Sequence, residues 1–188
     1  TNTAVLSAYV QPIVARYLAN LERALRAAGI ACPLDCMQSN GGLAGFRAAE
    51  RAPLTLVESG PAGGVAGAVR VGAALGERDL LYFDVGGTTA KCSLVRDGRP
   101  VLKPDYRLEW SRRDPGYPVQ VPVVDIVEIG AGGGSIAWTD AQGRLHVGPH
   151  SAGADPGPAC YARGGTEPTV TDAKLLPGVL DPERFAGG

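Results

Sequence analysis

The sequence predicts a mixed α/β fold from three observations: a long helical period at the start of the chain, a second helix over about 61–75, and short apolar strands separated by glycine turns from Leu80 onward. In the first, Val5, Tyr9, Ile13, Tyr17, Leu21 and Leu25 recur every four residues with Leu6, Val10, Val14 and Leu18 beside them, giving one apolar face of a helix that ends at Gly29. Thr3 is suited to cap it, and Pro12 predicts a kink or a restart. Pro33 to Met37 reads as a short strand running into the polar loop Gln38-Ser39-Asn40-Gly41-Gly42, either a plain turn or part of a site. For the second helix Ser59 is the expected N-cap, with Pro61 in the first turn. Gly63, Gly64 and Gly67 each disfavour a helix by about 1 kcal/mol against alanine, so either close packing against a sheet or an anion at the helix start explains them. Residues 80–85, 90–96 and 99–103 read as three consecutive strands, the last two joined by the hairpin dipeptide Asp97-Gly98. Tyr106 to Trp110 adds a strand, 111–118 is loop-like, and Val119 to Ile129 is an apolar run broken by Pro122. Gly130 to Ser135, then Ile136-Ala137-Trp138, a turn over Asp140–Gly143 and Leu145-His146-Val147 repeat the strand-and-glycine pattern.

Composition limits what such a chain does. With 188 residues, 45% hydrophobic content and a net charge of −1, it has material for one well-buried core and too little for three domains. A pI near 6.1 leaves no electrostatic footprint for nucleic acid, and no basic amphipathic stretch suggests a membrane surface. No run of roughly 18 apolar residues and no signal-peptide pattern occurs, so the expected location is cytoplasmic. Cys32, Cys36, Cys92 and Cys160 are too scattered for a disulfide scaffold, and Cys32 with Cys36 lacks the further ligands of a structural zinc site. The 27 glycines and 15 prolines are close to twice the usual combined share of about 12%, but they are interleaved with Val, Ile, Leu and Ala, which indicates a turn-rich folded chain.

The stretch LLYFDVGGTTAK, from Leu80 to Lys91, runs a strand into an acid, two glycines and two threonines. A P-loop is excluded because no GxxxxGK[ST] occurs. A dinucleotide fingerprint is disfavoured because Gly130, Gly132 and Ser135 lead into a hairpin rather than a helix. What fits is a hairpin whose backbone N–H groups and hydroxyls wrap a phosphate, with an acid at the strand end for a metal or water.

Asp84-Val85-Gly86-Gly87-Thr88-Thr89 resembles the phosphate-binding hairpin of the actin-like ATPase superfamily. MQSNGG at 37–42, SGPAGG at 59–64, VDIVEIGAGGGSIAW at 124–138 and VGPHSAGADPGPACYARGGTEPTVTDA at 147–173 extend the resemblance to the hydantoinase A/oxoprolinase family over essentially the whole chain. The resemblance implies an actin-like (RNase-H-like) lobe, a mixed sheet flanked by helices, in a larger two-lobed protein. It implies an enzyme that uses ATP and Mg²⁺ to activate the carbonyl of a hydantoin or 5-oxoproline for ring opening. The alternatives are the beta-type subunit of an acetone-carboxylase-like ketone carboxylase and a non-catalytic nucleotide-binding module. Asp84 would be the catalytic and metal residue, orienting Mg²⁺ or a metal-bound water; the backbone of Gly86 and Gly87 and the hydroxyls of Thr88 and Thr89 would hold phosphate oxygens, with Lys91 either a further phosphate ligand or a surface lysine. Gly132, Gly133, Gly134 and Ser135 would let nucleotide approach the backbone or flank a substrate pocket. Gln38, Ser39, Asn40, Asp125 and Asp172 are substrate or supporting candidates, Asp172 doubling as a helix N-cap.

Asp125 and Glu128, three apart on a strand, are expected on opposite faces and not as a catalytic pair. The chain departs from the family where Val127-Glu128 stands in place of a common histidine and Lys174 in place of the asparagine of TDAN. A second DxGGT is missing, so the expected organisation is a helical lead-in over 1–78 and a phosphate-hairpin lobe over 79–188, one incomplete domain that turns over ATP poorly by itself. The expected partners are a small cyclic amide or ketone and a hydantoinase B-type subunit or domain, with no nucleic acid or membrane. The loop 151–165 is either a lid or part of the pocket.

Overall fold

The computed structural model describes residues 1–104, 106–108 and 115–185. It begins with helix α1 (Asn2–Ala27), capped by Thr1, whose hydroxyl accepts the Ala4 amide at 3.4 Å. Thr3 lies inside the helix instead, and its hydroxyl accepts the Gln120 amide at 2.9 Å. The helix runs through Pro12 without a restart. It closes at Gly29, φ +84, through bonds from the Gly29 amide to the Arg26 carbonyl and from Ile30 to Leu25, a left-handed exit that glycine adopts without strain.

Only part of the expected apolar face of α1 is packed. Leu18 is buried with Phe46 and Ala49, and Val14, Leu21, Leu34, Cys36 and Leu56 close around them. The ladder Val5, Tyr9, Ile13 and Tyr17 is 63–75% exposed. Steps of four residues drift about 40° around a helix of 3.6 residues per turn, so a wide apolar surface cannot all meet one neighbour. Burial first, and then the Asp35 carboxylate, push the Cys36 thiol above its ordinary pKa, in keeping with an inert packed thiol.

Strands β1 (Asp35–Met37) and β2 (Leu43–Gly45) pair antiparallel and lead into α2 (Phe46–Arg51), a 3₁₀ turn (Pro53–Leu56) and α3 (Ser59–Leu75). Ser59 is the first helical residue and not the cap; Glu58 takes that position at φ +54, its carboxylate accepting the Tyr106 hydroxyl at 3.2 Å. Ala62 and Val65 of α3 form a core with Val95 and Val124, flanked by Val69, Leu80, Tyr82 and Ile126. A methyl group on Gly64 would run into the Tyr82 ring, so close packing accounts for that glycine.

Strands β3 (Leu80–Val85), β4 (Ala90–Arg96), β5 (Arg99–Pro100), β6 (Leu102–Lys103), β7 (Tyr106–Leu108), β8 (Tyr117–Val119), β9 (Val123–Val124), β10 (Ile126–Ile129), β11 (Ser135–Thr139) and β12 (Leu145–Ser151) follow, with a 3₁₀ turn at Ala159–Tyr161 and α4 (Val170–Leu175). The main sheet has the order β10-β4-β3, with β5 also paired to β4. Asp97 and Gly98 have φ of +51 and +70, the two left-handed residues of a tight hairpin turn. Gly98→Ala is expected to lower stability by about 1 kcal/mol, read as a shift in the urea midpoint, because alanine is strained at that φ.

The strand expected over 99–103 is split because its partner changes: β5 pairs with β4 and β6 with β9. At the switch, the Val101 amide bonds to Leu94 while its carbonyl accepts from Asp125. Residues 117–118, expected as loop, belong to β8, which pairs with β7 in the register Tyr106↔Val119. The remainder of the strand expected to Trp110, and the loop expected from 111 to 114, lie outside the described residues. The mixed α/β class holds, and no helix among the described residues is long and apolar enough to cross a membrane.

By its contacts the chain forms two compact units, Thr1–Tyr82 with Ser93–Ile126 and Phe83–Cys92 with Val127–Gly188. The division expected between 78 and 79 follows motif content; the contact division is discontinuous in sequence.

Candidate nucleotide-phosphate site

The hairpin and the glycine-rich turn that the sequence singles out fall in the second unit and are bonded to each other. After Val85 the chain reverses through a hydrogen bond from the Gly86 amide to the Thr89 carbonyl at 2.9 Å. The hairpin carbonyls of Gly86 and Gly87 accept the amides of Gly133 and Gly134 at 2.8 and 2.7 Å. From behind, the Gly132 amide donates to the Ser135 hydroxyl at 2.8 Å, and Ser135 is fully buried. The Thr171 amide and hydroxyl both donate to the Gly133 carbonyl, at 2.8 and 2.9 Å, and Ala152 donates to that of Gly134.

The pairing leaves donors over. Among the described residues, the amides of Gly87 and Thr88 have no protein acceptor. Both residues line a cleft of about 390 Å³ with Val85 and Gly86. The glycine turn contributes Gly133 and Gly134, the 151–165 loop contributes Gly153, Ala154, Pro158 and Tyr161, and the C-terminal segment contributes Thr171, Lys174, Leu180 and Phe185. Among the described residues, no carboxylate lines the cleft. Unclaimed amides beside a hydroxyl, with no acid in the wall, make a receptor for anionic oxygen.

The expected site residues divide accordingly. Gly86, Gly87, Thr88, Gly133 and Gly134 line the cleft, whereas Gly132 and Ser135 stand behind it. The amides of Gly133 and Gly134 are consumed by the hairpin, so these residues offer the cleft their Cα surfaces and not donors. Lys91 is paired with Glu128 at 3.2 Å. Partial burial works against ionisation of Glu128, but hydrogen bonds from Thr89 and Lys91 and the lysine charge outweigh it and lower its pKa. Thr89 and Lys91 are thus tied to Glu128.

Asp84 is exposed and is not in the cleft wall; on β3 it shares the parity of Leu80 and Tyr82, opposite Val85. Gln38, Ser39, Asn40 and Asp125 belong to the first unit, where their side chains hold its loops. Gln38 donates to the Thr55 hydroxyl at 3.2 Å, buried Ser39 to the Pro122 carbonyl at 3.1 Å, and Asn40 accepts the Gly42 amide at 2.8 Å. Asp125 forms an ion pair with Lys103 at 2.6 Å.

Asp172 is not the N-cap of α4; Thr169 is, and Asp172 sits at the third helical position of a capping box. One oxygen accepts the Thr169 amide and hydroxyl, both at 2.8 Å, and the other the Cys160 amide at 2.8 Å. Partial burial would raise its pKa, but these bonds and the Cys160 thiol lower it to about 2.

The whole chain, residues 1–188, matches the hydantoinase/oxoprolinase family. The chain belongs to that family. Caprolactamase subunit alpha of Pseudomonas jessenii is 40% identical over 189 residues, covering 100% of this chain and 26% of the relative. The crystal structure of ATP-dependent caprolactamase from the same organism is similar with a TM-score of 0.80 at 38% identity, covering 100% of this chain and 26% of that one. A nucleotide-free acetone carboxylase structure gives a TM-score of 0.75 at 28% identity over 98% of this chain and 25% of that one. The chain therefore spans about a quarter of the length of these relatives.

In this hydantoinase/oxoprolinase chain the 151–165 loop, expected as a lid or part of the pocket, supplies Gly153, Ala154, Pro158 and Tyr161 to the cleft, and the lining residues given no role from the sequence are Val85, Thr171, Lys174, Leu180 and Phe185. Thr171 had a readable signal, lying inside the T-x-x-D capping box that begins at Thr169. Phe185 had none, since only tertiary packing brings its ring to a centroid distance of 6.1 Å from that of Tyr161.

Proposed function

We propose that the protein containing these residues uses ATP to activate the carbonyl of a small cyclic amide and open the ring by hydrolysis. The observation that carries this reading is the pair of unclaimed amides, Gly87 and Thr88, in a cleft with no carboxylate among its described lining residues. Membership of the family and likeness to an ATP-dependent caprolactamase support both the nucleotide and the substrate class. ATP would supply the phosphoryl group that activates the amide oxygen; water then adds to that carbon, the ring C–N bond breaks with a proton passing to the nitrogen, and a second water hydrolyses the resulting acyl phosphate to a carboxylate and inorganic phosphate.

The hairpin does the positioning. Its amides and the Thr88 hydroxyl bind phosphate oxygens, while Gly133 and Gly134, whose Cβ positions are taken up by Thr171, Ser151 and the Gly87 carbonyl, brace the hairpin against the rest of the unit. Asp84 is the residue we assign to the Mg²⁺ that would accompany the nucleotide; standing outside the cleft wall, its exposed carboxylate would reach an ion carried mainly by phosphate and water through one of those waters. A hydantoinase B-type subunit or domain is the proposed partner, in line with a relative named as an alpha subunit. A cytoplasmic location fits the four unpaired thiols.

The test is titration calorimetry of the full-length protein with Mg-ATP, followed by ADP release in the presence of cyclic amides. Thr88→Ala is expected to weaken ATP binding about 10-fold, the loss of one hydrogen bond to a charged group. Lactam- or hydantoin-stimulated turnover supports the proposal. Stimulation only by a ketone with bicarbonate would move the reading to carboxylation, for which the acetone carboxylase likeness speaks. ATP binding without stimulation by any of these would indicate a binding module, and absence of ATP binding would overturn the site itself.

A further inference from the structure

Fourteen residues line the cleft, and Lys174 is the single one among them with a formal charge. It projects from the last turn of α4, is half-buried, and has no carboxylate partner among the described residues. The other lysine near the hairpin, Lys91, is neutralised by Glu128. Among the described residues the site therefore has one uncommitted cation, and it shares a cavity with the unclaimed amides of Gly87 and Thr88.

We infer that Lys174 is the cationic phosphate ligand of this site, bonding a non-bridging phosphate oxygen of ATP and neutralising charge on the phosphoryl group held by the hairpin. The inference rests on the nucleotide reading above and adds to it the residue that supplies positive charge. An ammonium group on a flexible stem suits this task, since it follows a phosphate as a point charge without the fixed geometry of a guanidinium. No carboxylate among the described residues of the lining competes for it, so a phosphate in the cleft is its available counter-charge. The backbone around the lysine is anchored as well, because its carbonyl accepts the amides of Val179 and Leu180 and Asp172, two residues earlier, fixes the start of the helix.

A plain structural role is the competing account, in which a lysine in the last turn of a helix merely complements the helix dipole. That role would affect thermal stability and leave nucleotide affinity alone. The experiment compares the full-length wild-type protein with Lys174→Gln and Lys174→Arg, using calorimetry with Mg-ATP and with AMP together with the melting temperature of each protein. Lys174→Gln is expected to weaken ATP binding about 10- to 100-fold, to affect AMP less, and to melt within a few degrees of wild type; Lys174→Arg is expected to recover part of the loss.

A second readout does not depend on variants that fold. Brief acetylation of the wild-type protein with acetic anhydride, followed by peptide mass analysis, is expected to show Lys174 protected by saturating Mg-ATP. Wild-type ATP affinity in Lys174→Gln, or Lys174 acetylated equally with and without ATP, overturns the inference while leaving the nucleotide reading intact. Failure of the wild-type protein to bind ATP at all overturns both, and the two failures are told apart by that first titration.

Discussion

Gly132→Ala is expected to lower stability by about 3 kcal/mol and to abolish measurable ATP binding. A Cβ at Gly132 would lie 2.6 Å from both the backbone N and the backbone C of Thr88 and 2.7 Å from the Gly86 carbonyl oxygen. Each of these atoms is main chain in a closed hairpin, so no rotamer change relieves the overlap. The hairpin and the glycine turn must separate, and the bonds from Gly133 to Gly86 and from Gly134 to Gly87 lengthen with them. Losing those bonds frees the two hairpin carbonyls, and an oxygen facing a phosphate repels it where an amide would hold it. Gly87 is the control: no heavy atom lies within 4 Å of a Cβ built there, so alanine is expected to leave stability within about 0.5 kcal/mol of wild type. Denaturation midpoints and ATP titrations of the two variants check the pair; equal behaviour would show that the hairpin and the turn are not locked together.

What the sequence discloses about this fold is mostly local. The Asp97-Gly98 turn and the β11–β12 hairpin rest on chemistry contained within a few residues, and they stand where periodicity and turn residues put them. Asp140 shows why: it accepts the amides of Gln142 and Arg144 at 3.0 and 2.9 Å, an acid holding its own turn, while Trp138 stacks on His146 at 4.6 Å across the two strands. Non-local choices were not legible. Nothing in Leu102-Lys103 says that it leaves β4 for Val123-Val124, and nothing in Val5, Tyr9, Ile13 and Tyr17 distinguishes them from the Leu18 side of the same helix.

The candidate site shows the same limit. A glycine-rich motif announces close backbone approach without saying which backbone approaches, and here protein occupies much of the space that the sequence reserves for nucleotide: the amides of Gly132, Gly133 and Gly134 all serve protein acceptors. Lys91 was a phosphate-ligand candidate and Lys174 only a departure from a family asparagine, yet the first faces Glu128 and the second lines the cleft. Strand parity at Asp84 and Val85, by contrast, was available from the alternation of Leu80 and Tyr82.

Asp172→Asn is expected to cost about 2 kcal/mol at neutral pH and to loosen the cleft wall, because one carboxylate ties α4 to the 3₁₀ turn on the other side of the site. Its two oxygens serve Thr169 and Cys160, and the segments they join carry Thr171 and Lys174 on one side and Pro158 and Tyr161 on the other. Asparagine keeps one acceptor oxygen but loses the charge, and its amide nitrogen faces a donor where an acceptor is required. The pH dependence follows from the sign of the shift. A group whose pKa falls from 3.8 to about 2 on folding is ionised in the native state while the unfolded chain binds a proton. Its stabilisation is therefore fully present above about pH 5 and disappears as the pH falls through 4 to 2. The stability difference between wild type and Asp172→Asn is expected to be widest near pH 7 and to close towards pH 2, measured as urea midpoints at a series of pH values in the full-length protein. A difference that stays constant from pH 7 to pH 3 would mean that Asp172 acts through shape and hydrogen-bond count alone, and not through its charge.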